Sequence, residues 1–258
     1  MTDGAVNPIN SAHLRAVRKP KVAERVAREI GDAIIRDGLS EGDPLPNERV
    51  MAEQLGVGRT TLREALRLLE THGVIRIKPG PGGGPYVRRS RPDDLVGAMT
   101  LVLQFLGSSL DEVAEARAGV EPVVAGLAAR NATADDIAAM QGTIDRMRAE
   151  LGDASVFYRE NDAFHAALAH ASRNTVLLVI AETLEQVTAS IDTQIDYPPR
   201  TRARIADAHQ RIVDAIAARD HEAASSEAAE HIAEFRRYAA RKFPDKLGEP
   251  VRWETSTA

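Results

Sequence analysis

Three of the seven histidines in this 258-residue chain lie on apolar faces of segments with helical periodicity. They are His165, His209 and His231, and each belongs to a different segment. Asn161 precedes His165 by one helical turn, so both side chains project from the same side of a helix. Imidazole nitrogens and an amide oxygen that converge inside a helical bundle suit Zn²⁺, Ni²⁺ or a similar transition metal. A histidine that makes one hydrogen bond in an apolar core is the other interpretation of each position.

Arg117 is a further candidate, because it lies on the apolar stripe of another predicted helix. Its guanidinium group would hold a carboxylate of a bound metabolite through two parallel hydrogen bonds. Glu121 follows one turn later, so an ion pair between these two side chains is the alternative. The spacing alone does not decide between them.

A row of arginines offers different chemistry near the amino terminus. Arg59, Arg63 and Arg67 recur every four residues and therefore share one face of a predicted helix. In the preceding turn, Ala52 and Gly56 have the four-residue spacing of a helix-turn-helix. Arginines at the start of such a helix bind guanine edges, and hydroxyl groups or helix amides bind phosphate. A solvated arginine-rich face is the alternative, but the turn and the local positive charge favour duplex DNA.

Charge is distributed unevenly along the chain. Residues 1–92 contain 16 lysines and arginines and 11 acidic residues, whereas residues 93–258 contain 17 and 27. A basic end on an acidic body is typical of a protein whose end binds a polyanion. The chain has no cysteine, no signal-peptide h-region and no apolar run of the roughly 18–20 residues that span a membrane. We therefore expect a cytoplasmic protein without a membrane partner.

The elements that position these groups form two sets. Residues 1–19 are polar and aperiodic, which predicts a flexible arm. Residues 20–90 contain three helical segments and then two strand-like runs around a Gly/Pro-rich tip. The helical segments span about 21–36, 47–55 and 59–72. This order predicts a winged helix-turn-helix.

The rest of the chain is helical, with short breaks at Gly, Asp or Pro. The predicted helices span about 93–106, 110–130, 134–151, 154–171, 174–195, 200–219 and 221–242. They predict an all-α bundle of six to seven helices over residues 93–242, followed by a frayed tail at 243–258. The expected fold class is therefore mainly α.

Three sequence runs near the amino terminus carry a family resemblance: Leu45-Pro46-x-Glu48-Arg49, Leu55-Gly56-Val57-x-Arg59-Thr60-Thr61-Leu62-Arg63-Glu64-Ala65-Leu66-x-x-Leu69, and Gly73-Val74. They make residues 20–90 similar to the winged helix-turn-helix of the GntR family of bacterial transcription regulators. The resemblance implies DNA contacts by Arg49, Arg59, Thr60, Thr61, Arg63 and the wing glycine Gly80. Gly58 departs from the pattern, because relatives usually have Ser or Thr there as the helix N-cap.

The helical part carries a second resemblance, in Glu115-Ala116-Arg117 with Glu121, Asn161-x-x-Phe164-His165-x-x-Leu168 with Asn174, and His209-x-x-Ile212-x-x-Ala215-Ile216-x-x-Arg219-Asp220. These residues are similar to the FCD domain of the FadR-like branch of that family. Many relatives bind a metal through an acidic residue and three histidines, and the histidines carry over to His165, His209 and His231. The acidic position holds Asn161, with Asp162 one step off that face, so the fourth ligand is Asn161 or Asp162.

The residues and the resemblance together predict a transcription regulator rather than an enzyme. The resemblance implies a homodimeric repressor, and two DNA-binding units on one symmetric dimer would bind a short palindromic operator. A carboxylate metabolite that contacts the metal and Arg117 would favour one arrangement of the bundle and so weaken DNA binding. One alternative is a metal-free regulator of the same family that binds a fatty acyl-CoA, with the histidines as core residues. The other is a metal-dependent enzyme, for which only Asp162 or Glu121 is a candidate general acid or base.

Overall fold

The computed structural model describes residues 22–80, 82–192 and 197–252. The chain divides into two compact units, residues 1–90 and 91–258. The predicted arm at residues 1–19 lies outside the described residues. Within the described residues, no helix is both long and apolar enough to cross a membrane.

The amino-terminal unit is a winged helix-turn-helix. Its elements are α1 (Val22–Arg36), α2 (Glu48–Leu55), α3 (Arg59–Thr71), β1 (Ile75–Lys78) and β2 (Gly84–Val87). The strands pair antiparallel, with Ile75 opposite Val87, and form the wing. The turn between α2 and α3 depends on Gly56, whose φ of 63° lies in the left-handed region that favours glycine. Leu62 and Leu66 are fully buried and hold α3 against α1, which leaves the opposite face of α3 exposed.

The carboxy-terminal unit is an all-α bundle, which confirms the predicted fold class. Its helices are α4 (Asp93–Leu106), α5 (Leu110–Asn131), α6 (Ala134–Ala149), α7 (Ala154–Ala171), α8 (Thr175–Asp192), α9 (Pro199–Ala217), α10 (His221–Lys242) and α11 (Pro244–Gly248). Helix α5 is central, because it packs against α7, α8, α9 and α10. Gly126 permits the close approach of α5 to α10, since a Cβ there would lie 2.5 Å from Ser225 Oγ. Apolar side chains of α5, α6, α7 and α9 form the main core.

The segment after α10 differs from the frayed tail expected there. Residues 244–248 form α11, and Val251 is fully buried against Val113, Leu184 and Val187. The Val251 backbone N–H donates to the Ser108 carbonyl oxygen at 2.8 Å. This end of the described chain therefore covers the start of α5, because a buried valine and a paired backbone outweigh the entropy of a free end.

Candidate metal centre and DNA-binding surface

The bundle brings the three predicted histidines together. His165 lies on α7, His209 on α9 and His231 on α10, and all three are buried. One ring nitrogen of each histidine lies within 4.8 Å of a ring nitrogen of each of the other two histidines. The Nε2 atoms of His209 and His231 face each other at 3.4 Å. His209 and His231 thus meet His165 at one point in the core, although they follow it by 44 and 66 residues in sequence.

The separation of these nitrogens suits a shared metal ion. Two nitrogens bound to a tetrahedral Zn²⁺ at its normal bond length lie about 3.4 Å apart. An imidazole must be uncharged to bind a metal. Burial and the nearby His231 hold the pKa of His209 well below its usual value, and burial and His165 lower the pKa of His231 to about 3. Both rings are therefore neutral at physiological pH, and the donor set fits a transition metal.

His209 is held mainly by packing. Its ring stacks on Phe164 with centroids 3.8 Å apart and planes 9° apart. Its Nδ1 atom is buried and has no hydrogen-bond partner among the described residues. The stacked phenyl ring therefore determines how His209 presents Nε2 to His231.

A buried charge cluster lies beside the histidines. Arg117 on α5 forms ion pairs with Glu121 at 2.6 Å and with Glu185 of α8, so the ion pair considered from the spacing is present. Glu121 also lies 3.4 Å from His165 Nδ1. Burial alone would raise the pKa of Glu121, but Arg117 and His165 hold it well below its usual value. Burial would likewise lower the pKa of His165, but Glu185 and Glu121 raise it.

Glu185 is a site residue that the sequence analysis missed. Its Oε1 atom accepts a hydrogen bond from Asn161 Nδ2 at 3.4 Å. The sequence does contain a signal, because Glu185 is a carboxylate on the inward stripe of α8 that also holds Leu178 and Ala181. Asp162, the other candidate for the acidic position, is exposed. Partial desolvation by the surrounding atoms and the charge of Glu185 raise the pKa of Asp162 to about 6.

A cavity of about 170 Å³ opens onto this group from one side. Arg117, Asn161, His165, Glu185 and His231 line it, so the metal candidates and the charge cluster share one space. Its wall includes the aromatic and aliphatic side chains of Phe157, Tyr197, Ile205, Ile232, Phe235 and Tyr238. Three exposed arginines, Arg204, Arg237 and Arg241, also border it. The cavity thus combines polar and charged groups with an apolar wall, as small-molecule sites do.

The predicted DNA contacts lie on exposed surface of the other unit. Arg59, Thr60 and Arg63 are exposed in the first turns of α3, and Thr61 is half-buried. Arg63 Nε lies 2.8 Å from Glu48, and Arg49 lies 2.9 Å from Glu53. These four charged side chains are exposed or half-buried, so either arginine can exchange its carboxylate for a phosphate or a base.

Two glycines complete that surface. Gly58 stands at the N-cap of α3 and supplies no side-chain hydrogen bond, as expected from its departure from Ser or Thr. Gly80 lies at the exposed tip of the wing with a φ of 95°, a conformation that side-chain-bearing residues rarely adopt. The uncapped amides of α3 therefore remain open to an anion.

Both units of the chain match known protein families. Residues 22–84 match the family described as "Bacterial regulatory proteins, gntR family", and residues 112–234 match the family described as "FCD domain". A relative from Bacillus subtilis, "Uncharacterized HTH-type transcriptional regulator YcbG", is 32% identical over 84% of this chain and 89% of its own. The chain belongs to the GntR family. It is a GntR regulator with an FCD domain.

Other members of the family extend this result. The chain is 30% identical to the "Putative L-lactate dehydrogenase operon regulatory protein" of Escherichia coli, over 82% of this chain and 84% of that one. It is 28% identical to the "HTH-type transcriptional repressor NanR" of Cronobacter sakazakii, over 84% of this chain and 85% of that one. The solved structure of "Streptococcus agalactiae GntR" matches with a TM-score of 0.64 and 26% identity, over 83% of this chain and 99% of that chain.

Membership of the GntR family establishes the general function of the chain. Members of this family are DNA-binding transcriptional regulators, so this GntR regulator binds DNA through its winged unit and is not an enzyme. Its FCD domain is the part that binds a small-molecule effector.

Proposed function

We propose that this GntR regulator is a homodimeric repressor that releases a short palindromic operator when a small carboxylate binds its FCD domain. The proposal assigns DNA binding to residues 20–90 and effector binding and dimerisation to residues 93–242. The observation that carries it is the convergence of three buried histidines, two of which, His165 and His231, line a cavity that arginines border. Relatives named as a repressor and as an operon regulatory protein support the direction of control.

The proposed metal ligands are His165, His209, His231 and Asn161, with Zn²⁺ or Ni²⁺ as the ion. The 3.4 Å between the Nε2 atoms of His209 and His231 and the lowered pKa values of these two rings support this choice. When bound, the metal supplies an electrophilic contact for an effector carboxylate. Glu121 lies near His165 Nδ1, and a carboxylate in that position directs the other ring nitrogen toward a metal.

The shape and charge of the cavity favour a small carboxylate over a fatty acyl-CoA. A volume of about 170 Å³ holds a compact metabolite, whereas an acyl-CoA is several times larger. Arg204, Arg237 and Arg241 outnumber Glu234 and Glu230, which pair with the first two, so the opening favours an anion. The guanidinium group of Arg117 is already shared by two carboxylates, so we propose that Arg117 adds positive charge beneath the effector and that the metal makes the closer contact.

A ligand panel tests the choice of effector. An operator selected from randomised duplexes is bound by Zn²⁺-loaded protein, and fluorescence anisotropy follows release by small mono- and dicarboxylates and by palmitoyl-CoA. We expect a small carboxylate to release the DNA and the protein stripped by chelator to lose that response. Release by palmitoyl-CoA alone, unaffected by chelator, would instead support the metal-free alternative.

Helix α4 supports the proposed homodimer. Its inward side chains Val96, Met99 and Leu103 pack against α8 and the end of the described chain. Its neighbouring face exposes Leu95, Val102, Phe105 and Leu106, with 83% of Phe105 accessible. An exposed apolar face of this kind marks a protein contact, and we propose a second copy of the chain as its partner.

Replacing Phe105 with glutamate is therefore expected to convert the dimer to a monomer at micromolar concentration. A charge in an apolar interface is left unpaired and desolvated, which opposes association. Light scattering after size-exclusion chromatography measures the mass. Ile35→Glu is the matched control, because Ile35 is equally exposed but lies on α1. A Phe105→Glu protein that stays dimeric would show that α4 is not the interface.

A further inference from the structure

Glu185 is a buried carboxylate beside the candidate metal centre to which neither the sequence nor the family comparison assigns a role. Its side chain contacts two elements at once, Arg117 on α5 and Asn161 on α7. A carboxylate oxygen of Glu185 also lies within 4.8 Å of a His165 ring nitrogen. Helix α8 therefore brings a negative charge next to Asn161, whose side chain is a neutral amide.

The contact with Glu185 determines which way the Asn161 amide points. A carboxylate can only accept hydrogen bonds, so the amide turns its NH₂ group toward Glu185. The amide oxygen is thus the end of Asn161 that remains for a metal, one helical turn before His165.

The charges around the site agree with this arrangement. Arg117 is shared by Glu121 and Glu185, so these three side chains together have one negative charge left over. That charge lies where a cation bound by the histidines would feel it in a buried, low-dielectric setting. An aspartate at position 161 would instead place a second carboxylate against Glu185, where like charges repel.

We propose that Glu185 supplies the negative charge that Asn161 lacks and orients the Asn161 amide so that its oxygen serves as the fourth metal ligand. Glu185 is thus a positioning residue that contacts the ligand rather than the ion. The inference rests on the metal centre proposed above. It explains how a neutral amide takes the acidic position of the donor set.

A double-mutant cycle on the full-length protein tests the proposal, with Zn²⁺ affinity measured by competition with a chromophoric chelator. Glu185→Gln is expected to weaken Zn²⁺ binding about 10- to 100-fold, as losses of such supporting carboxylates do. Asn161→Asp alone is expected to change the affinity by less than about threefold, but in the Glu185→Gln background it restores most of the loss. The absorption intensity of bound Co²⁺ shows independently whether the ligand geometry changes.

Glu182→Gln is the matched control, because Glu182 lies on α8 three residues earlier and pairs with His170, away from the site. Circular dichroism checks that each variant is folded. If Glu185→Gln does not fold, the Zn²⁺ affinity of the Asn161→Asp variant alone tests the proposal. A tenfold gain in that affinity would show that Glu185 does not supply the charge.

Three results would overturn the proposal. Equal effects of Asn161→Asp in both backgrounds would show that the two positions are independent. A loss caused by Asp162→Asn but not by Glu185→Gln would assign the charge to Asp162. If the wild-type protein bound Zn²⁺ no better than the His209→Ala variant, the proposed metal centre itself would be wrong. This pattern is distinct from the first two results.

Discussion

Replacing His209 with alanine is expected to abolish metal binding, the largest single-residue effect that the structure predicts. Wild-type protein should retain about one equivalent of Zn²⁺ or Ni²⁺ per chain, whereas the variant should retain none, because its Nε2 atom is one of the two that face each other at 3.4 Å. Elemental mass spectrometry on untagged protein measures the content. At a Zn²⁺ concentration 100 times its dissociation constant, binding should add about 2.7 kcal/mol to the free energy of unfolding of the wild type alone.

His170→Ala is the matched control for this prediction. His170 lies on α7 like His165 but is exposed, so its loss should leave metal content and the Zn²⁺-dependent stabilisation unchanged. Loss of His209 also leaves a space beside Phe164, so the two metal-free proteins must be compared as well. Equal metal content in wild type and His209→Ala would contradict the proposed centre and return the histidines to a core role.

Replacing Arg59 or Arg63 with alanine is expected to weaken operator binding 10- to 100-fold each, about 1–3 kcal/mol. Both side chains are exposed on the first turns of α3, the helix that a helix-turn-helix inserts in the major groove. The double variant should bind the operator about as weakly as unrelated DNA, because base contacts provide the specificity. Fluorescence anisotropy at fixed salt with operator and scrambled duplexes gives both affinities.

Arg130→Ala is the charge-matched control, since Arg130 is an exposed arginine on α5 in the other unit. It should leave the ratio of operator to scrambled affinity unchanged. Unchanged operator affinity in both Arg59→Ala and Arg63→Ala, with helicity intact, would show that α3 does not read the DNA. A uniform loss on both duplexes would instead place these side chains on phosphates rather than on bases.

The breaks at Gly, Asp and Pro predicted most of the helix ends, and the structure adds the caps that stabilise several of them. Ser109 and Glu112 form a capping box at the start of α5, and Asp153 and Asp220 cap α7 and α10. Such caps satisfy the free amides of the first turn through neighbours in sequence, so a linear sequence displays them. The inward position of His165, His209 and His231 followed in the same way from helical periodicity.

The partners across the bundle could not be predicted in this way. The pairing of Arg117 with both Glu121 and Glu185, and the contact of Glu185 with Asn161, depend on how α5, α7 and α8 cross. Residues far apart in sequence meet only at one angle and one axial register, and side-chain packing determines both. For the same reason the sequence suggested a free tail where Val251 is buried.

By itself, then, the sequence determined the two-part architecture, the family, the arginine-bearing face of α3 and three inward histidines, because each depends on spacing along a single helix or turn. The tertiary structure alone decided that the three histidines meet at one point, that Glu185 joins them and that a cavity opens beside them. These features arise where separate helices pack together, and close packing decides which side chains touch.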